Sequence, residues 1–168
     1  MRTRGFTLIE LLVVVAILSV LASLTFPAMR HVRQQASTTR CRSNLRSIGA
    51  ALIIYLNHNE YVLPTVATLP SLGLDDRPRI VDVLAPHLDS TEVFRCPDDM
   101  KGYHRTEGSS YQFNTHLNGQ KLEMTRLARR LGQSKTWLMF DYEPFHGEPG
   151  EPGAANYLFA DGRVSDLR

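Results

Sequence analysis

Residues 5–27 read GFTLIELLVVVAILSVLASLTFP. A short basic leader, Met1-Arg2-Thr3-Arg4, precedes Gly5, and the apolar run from Phe6 to Phe26 holds a single charge, Glu10. These 21 residues would make about 31 Å of α-helix, close to the roughly 30 Å hydrocarbon thickness of a bilayer. Leu8, Ile9, Leu11, Leu12, Val13, Val14 and Ile17 leave no polar face, the pattern of a buried or membrane helix rather than a surface one. A carboxylate in such a segment costs up to about 3 kcal/mol at the bilayer centre and calls for a partner. The nearest available cation is the α-amine that a cut after Gly5 would expose at Phe6. An ordinary secretory signal, cut after Ala22, is one alternative, but such signals carry a shorter apolar core of about 7–15 residues without an acid. A plain single-pass anchor is another. Neither accounts for Gly5, Phe6 and Glu10 together. Arg2 and Arg4 are outnumbered by Arg30, Arg33, Arg40, Arg42 and Arg46 beyond the run, so charge asymmetry does not itself place the N-terminus in the cytoplasm.

GFTLIELLVVVAIL resembles the class III signal of type IV prepilins and type II secretion pseudopilins. The resemblance implies a peptidase cut between Gly5 and Phe6 on the cytoplasmic side, N-methylation of Phe6, and pairing of Glu10 with the N-terminal amine of a neighbouring subunit. Pro27 falls where these helices commonly kink. It further implies a bacterial inner-membrane protein of single-pass topology, N-terminus cytoplasmic and C-terminal domain periplasmic. The implied partners are prepilin peptidase, like pseudopilin subunits, membrane lipid, an inner-membrane platform protein and an assembly ATPase.

Of 168 residues, those outside the apolar run suit one small domain. The formal charge is +2, with 19 basic and 17 acidic side chains; Arg2 and Arg4 lie in the leader, so the processed chain is balanced at 17 each. Nucleic-acid binding is therefore not expected, and Arg40, Arg42 and Arg46 read as a solvated helix face. The two cysteines, Cys41 and Cys96, have no C-x-x-C or Cys/His metal-ligand spacing, so zinc is not expected. In an exported domain they point to a disulfide, worth roughly 4 kcal/mol for a loop of this length; two buried free thiols are the alternative.

Past Pro27 the helical period resumes: Met29, Val32 and Ala36, then Cys41, Leu45, Ile48, Leu52 and Tyr55 form one apolar stripe. Arg33, Arg40, Arg46 and Ser47 take the opposite face, and Gly49 weakens the helix by about 1 kcal/mol without ending it. A single helix from Phe6 to about Leu56, stopped by Asn57-His58-Asn59, is expected. Beyond it the pattern is α+β. Glu60–Leu63 reads as a short extended piece, 64–78 as a Pro/Gly-punctuated loop, and Ile80–Leu88 as a short helix that Pro86 terminates or distorts. Ser110–Asn114 alternates Tyr111 and Phe113 as a strand does. Leu122–Leu131 reads as a basic helix with Leu127 and Leu131 inward, and Lys135–Tyr142 as the strongest strand. Asp161-Gly162 between Asn156–Ala160 and Arg163–Leu167 signals a hairpin with a type I′ turn.

This half is also similar, more loosely, to proteins related to the major pseudopilin of type II secretion. The likeness rests on Asn44-Leu-Arg-Ser-Ile-Gly-Ala-Ala-Leu, Cys96-Pro97, Tyr111 with Asn114, and Asn156-Tyr-Leu-Phe-Ala-Asp-Gly. Where many members carry a histidine ten residues before the Asp of the closing Asp-Gly, this chain has Glu151. The resemblance implies a C-terminal calcium site, for which Asp141, Asp161 and Asp166 are the candidates; no EF-hand spacing is present, and a solvated acidic loop is the alternative. His104, His116 and His146 have no ligand spacing and read as surface residues. No phosphate-binding loop, nucleophile elbow or zincin signature occurs.

The sequence thus predicts a leader at 1–5, a transmembrane and assembly helix at 6–27, its amphipathic half at 28–57, and a globular α+β domain at 58–168 on a small antiparallel sheet. The expected function is a structural subunit, not an enzyme, of a type II secretion or type IV pilus-like fibre. The alternative is a membrane-anchored exported enzyme or binding domain that borrows this anchor.

Overall fold

The computed structural model describes residues 7–166, the side chains of 24–28, 30 and 31 excepted. The leader and the Gly5–Phe6 cleavage pair lie outside the described residues, as do the last two positions. The chain divides into two compact units, Met1–Ala36 and Ser37–Arg168. The second begins inside helix α1, Leu8–His58, because the C-terminal part of that helix is core material for the globular unit.

Helix α1 starts with a reciprocal cap. The amide and hydroxyl of Thr7 both donate to Glu10 Oε2 at 2.8 Å, and the Glu10 amide donates to Thr7 Oγ1 at 3.4 Å. This capping box satisfies donors that a helix start otherwise leaves open. From Leu8 to Leu21 the large apolar side chains are 47–80% exposed. The hydroxyls of Ser19 and Ser23 donate to the carbonyls of Ala16 and Val20, so they add little polarity to that surface. Among the described residues no helix is long and apolar enough to cross a membrane; the apolar run 6–26 extends past the described side chains at both ends. Helix α1 continues through Pro27.

In the globular unit the stripe is buried from Cys41 onward. Cys41, Leu45, Ile48 and Leu52 are at most 1% exposed; the expected Tyr55 is only half-buried and its neighbour Leu56 is the buried residue, whereas Met29 and Val32, expected on the same stripe, are 48% and 60% exposed. The covered part of the stripe is the part within the globular unit. After His58 the chain turns sharply: Glu60 and Tyr61 both have φ near +55° (52° and 59°), and the amides of Asn59 and Tyr61 return to the Leu56 carbonyl. Two successive left-handed residues stop the helix. They also replace most of the extended piece expected at Glu60–Leu63, where only Val62 bridges to Lys121.

Four short strands form one antiparallel sheet in sequence order: β1 Tyr111–Phe113, β2 Trp137–Asp141, β3 Tyr157–Phe159 and β4 Val164–Ser165. Tyr111 and Phe113 point inward as their alternation required. Leu138 and Met139 are both buried although adjacent, because the β2–β3 register slips between Trp137 and Met139. One face of the sheet meets α1, with Leu158 against Gly49; on β2 and β3, Trp137, Phe140 and Tyr157 form an aromatic group.

The short helices lie around this core. Helix α2, Ile80–Leu84, gives way to a 3-10 turn at Ala85–His87 that contains Pro86. Helix α3 covers Tyr103–Thr106 and α4 Arg126–Leu131. In α4 the expected inward Leu131 is 54% exposed. The helix begins only after Thr125 caps it, and the buried leucine of this segment is Leu122, in the preceding 3-10 turn. The β3–β4 hairpin also differs in its turn. The Gly162 amide bonds the Phe159 carbonyl, the Phe159 amide bonds the Arg163 carbonyl, and only Gly162 has positive φ. This is a three-residue loop ending in a left-handed glycine, not a two-residue type I′ turn.

Candidate functional site

Two groups of polar residues stand out against this apolar framework. The first is the helix start. Glu10 is exposed among apolar side chains and its carboxylate is held by Thr7, three residues away. Gly5 and Phe6, its expected processing partners, lie outside the described residues; so does the side chain of Pro27.

The second is a buried cluster where α1, the 95–99 segment, β2 and the loop after β2 converge. Cys41 and Cys96 are joined by a disulfide, their Cα atoms 5.4 Å apart. His146 Nε2 lies 3.8 Å from Cys96 Sγ and 3.5 Å from Asp141 Oδ2. Its Nδ1 donates to Asp98 Oδ2 at 3.0 Å. Asn156 donates through its amide and its Nδ2 to Asp141 Oδ2, at 2.8 and 3.0 Å, and accepts from Arg42 Nε at 2.8 Å. The Asp141 Oδ1 atom is buried with no hydrogen-bond partner. Burial pushes the Asp141 carboxyl up to about 7 against the pull of its Asn156 bonds. Burial likewise lowers His146, while Asp98 acts in the opposite direction. On the far side of Cys96, its amide donates to Ser110 Oγ, whose hydroxyl donates to Asp99. Asp99 also takes the amides of Gly102, Tyr103 and His104.

The three acids expected to bind calcium do not converge. Asp161 sits at the tip of the β3–β4 hairpin and accepts from the Arg163 amide; Asp166, at the other end of that hairpin, accepts from the Gly153 amide at 2.7 Å. Asp141 Oδ2 accepts from Asn156 inside the buried cluster. The length of β3 separates the tip from the other two. Two expectations of exposure also fail. His146 is 6% exposed, not a surface histidine, and Arg42 leaves the solvated row of Arg40 and Arg46 to reach Asn156. Asp98 and Arg42 carried no local signal, because their partners lie far along the chain, and Asn156 entered only as the first residue of the closing motif. Among the described residues, one group of three potential ligands has its ligand atoms all within 4.8 Å of one another: Cys41, Cys96 and His146.

Residues 1–26 match the family described as the prokaryotic N-terminal methylation motif. The chain is 31% identical over 117 residues to the type IV wide pilus major component PilA4 of Thermus thermophilus, covering 62% of this chain and 88% of that protein. The chain belongs to the type IV pilin and type II secretion pseudopilin family. It is also 31% identical over 101 residues to the type II secretion system core protein G of Escherichia coli, covering 60% of this chain and 68% of that one. The corresponding protein of Pectobacterium carotovorum is 43% identical over 61 residues, 36% of this chain and 39% of its own length. No solved structure matches the chain. Membership makes it a structural protein, not an enzyme, and family members are anchored in the inner membrane.

Proposed function

We propose that the chain is a pseudopilin of a type II secretion fibre, cut between Gly5 and Phe6, methylated on Phe6 and polymerised through the first part of α1. The observation that carries this is the exposed apolar surface of Leu8–Leu21 beside the single carboxylate of Glu10. In a fibre these surfaces bury against one another, and Glu10 meets a neighbour's α-amine where low dielectric strengthens the attraction and desolvation offsets part of it. Before assembly the segment sits in the membrane, with the domain from Ser37 onward outside the cytoplasm. Prepilin peptidase, a platform protein and an assembly ATPase are the implied partners. A type IV pilus is the second reading, favoured by the broad coverage of the Thermus pilin.

N-terminal sequencing of membrane-extracted protein tests the processing. N-methyl-Phe6 is expected; retained Met1, or a start at residue 23, refutes it. Glu10→Ala and Gly5→Ala abolish sedimentable fibres while leaving the globular unit folded. Fibre formation that survives Glu10→Ala refutes the assembly role of Glu10, and full biological activity of the soluble fragment from Met29 onward favours a membrane-tethered binding domain instead.

A further inference from the structure

The buried cluster contains more ligand chemistry than a disulfide needs. We propose that the reduced chain binds one zinc-class divalent cation through Cys41, Cys96 and His146, with Asp141 beside the site, and that forming the disulfide expels it. The cysteine and histidine ligand atoms already lie within 4.8 Å of one another. Cys96 Sγ stands 3.8 Å from His146 Nε2, and that nitrogen 3.5 Å from Asp141 Oδ2. Zinc–sulfur bonds of about 2.3 Å and zinc–nitrogen or –oxygen bonds of about 2.0–2.2 Å put tetrahedral ligand atoms roughly 3.3–3.8 Å apart. The Cys41–Cys96 Cα separation of 5.4 Å spans such a site with little backbone change.

Two further observations point to a ligand. Asp141 is 2% exposed, and its Oδ1 is without a hydrogen-bond partner, an uncompensated buried acceptor that a cation would satisfy. Asp98 Oδ2 stands 3.0 Å from Nδ1 of His146, and Nε2 is the ring nitrogen that faces Cys96 and Asp141. A carboxylate on the outer nitrogen is the usual support of a metal-bound histidine. Two thiolates with one imidazole select zinc, cobalt or cadmium over magnesium or calcium.

The redox balance is simple. The newly made chain carries both cysteines as thiols. Binding removes two thiol protons and forms two metal–sulfur bonds. Oxidation by a protein or small-molecule disulfide moves two electrons to that oxidant, which leaves as two thiols after taking up two protons; the Sγ–Sγ bond forms and the cation is released. The cation would hold α1 to the 95–99 segment until oxidation makes the covalent link.

The test is a Co2+ titration of the full-length chain in detergent micelles, reduced with a phosphine under argon, beside the oxidised chain. One equivalent should give thiolate-to-cobalt charge transfer and tetrahedral visible bands, erased by Zn2+ and absent from the oxidised chain. His146→Ala should weaken binding by at least about tenfold, the lower bound for even an outer-sphere partner. Asp141→Asn, which retains an acceptor for Asn156, should weaken it in the same direction. Absence of the bands, equal affinity in both variants, or equal binding by the oxidised chain overturns the proposal. Circular dichroism covers a reduced chain that fails to fold: zinc-induced refolding supports the site, and a chain that zinc leaves unfolded overturns it.

Discussion

Severing the Cys41–Cys96 link measures how far the globular unit depends on one crosslink. The bonded residues are 55 positions apart. The chain-entropy relation assigns such a loop about 14 cal/mol/K, or about 4 kcal/mol at 25 °C. Cys41 and Cys96 are 0% and 2% exposed, so the double variant Cys41→Ala/Cys96→Ala places two small apolar side chains in the core and adds no unsatisfied polar atom. At roughly 4 °C per kcal/mol for a unit of this size, the midpoint should fall by about 15 °C. The assay is calorimetry of the full chain in micelles with EDTA present, alongside guanidinium unfolding to show whether the transition stays two-state. Wild-type protein treated with a phosphine reductant should fall by a similar amount. A loss below about 5 °C would refute the loop-closure reasoning, and labelling of both thiols in exported protein would remove the crosslink itself.

Asp141→Asn should remove a pH-dependent penalty in the oxidised chain. The Asp141 carboxyl is raised from 3.8 to about 7 by burial, so its stabilising contribution is complete below 3.8 and is lost as pH rises to 7. The variant should therefore gain on wild type by as much as about 4 kcal/mol between pH 4 and pH 8, read from paired urea unfolding curves; a gap that does not widen with pH refutes this. Gly49→Val should destabilise by about 1–3 kcal/mol, since even a Cβ there stands 2.9 Å from Leu158 Cδ1; a raised midpoint would show that β3 yields freely. Calcium chelation should leave the midpoint of the oxidised chain unmoved in a thermal melt, because Asp161 and Asp166 hold separate backbone amides.

Much of the fold was legible because it rests on local pattern. The stripe from Cys41 to Leu52, the alternation of Tyr111 and Phe113, and the β3–β4 hairpin each follow from spacing within a short window. The turn type was not legible, since Asp-Gly fits both a two-residue loop and the end of a three-residue one. Leu131 misled because a periodic leucine says nothing about where a helix of six residues begins. Gly49 read as a weak point of a helix, but it is where β3 approaches α1. The buried cluster was the least legible part. His146 pairs with Asp98 and Asp141, and Arg42 with Asn156 across 114 positions, distances no periodicity spans. Cys41 and Cys96 announced themselves through the scarcity of their type, and Asp141 was singled out only as a calcium candidate.

The helix start carries a consequence for how subunits join. Both Thr7 donors fall on Oε2 of Glu10, and the other carboxylate oxygen takes no part in the cap. A neighbour's terminus can therefore dock on Oε1 while the first turn stays wound. Recruitment then needs no fraying of the very segment that must slide into the growing polymer, and each incoming subunit arrives with its acceptor already aimed.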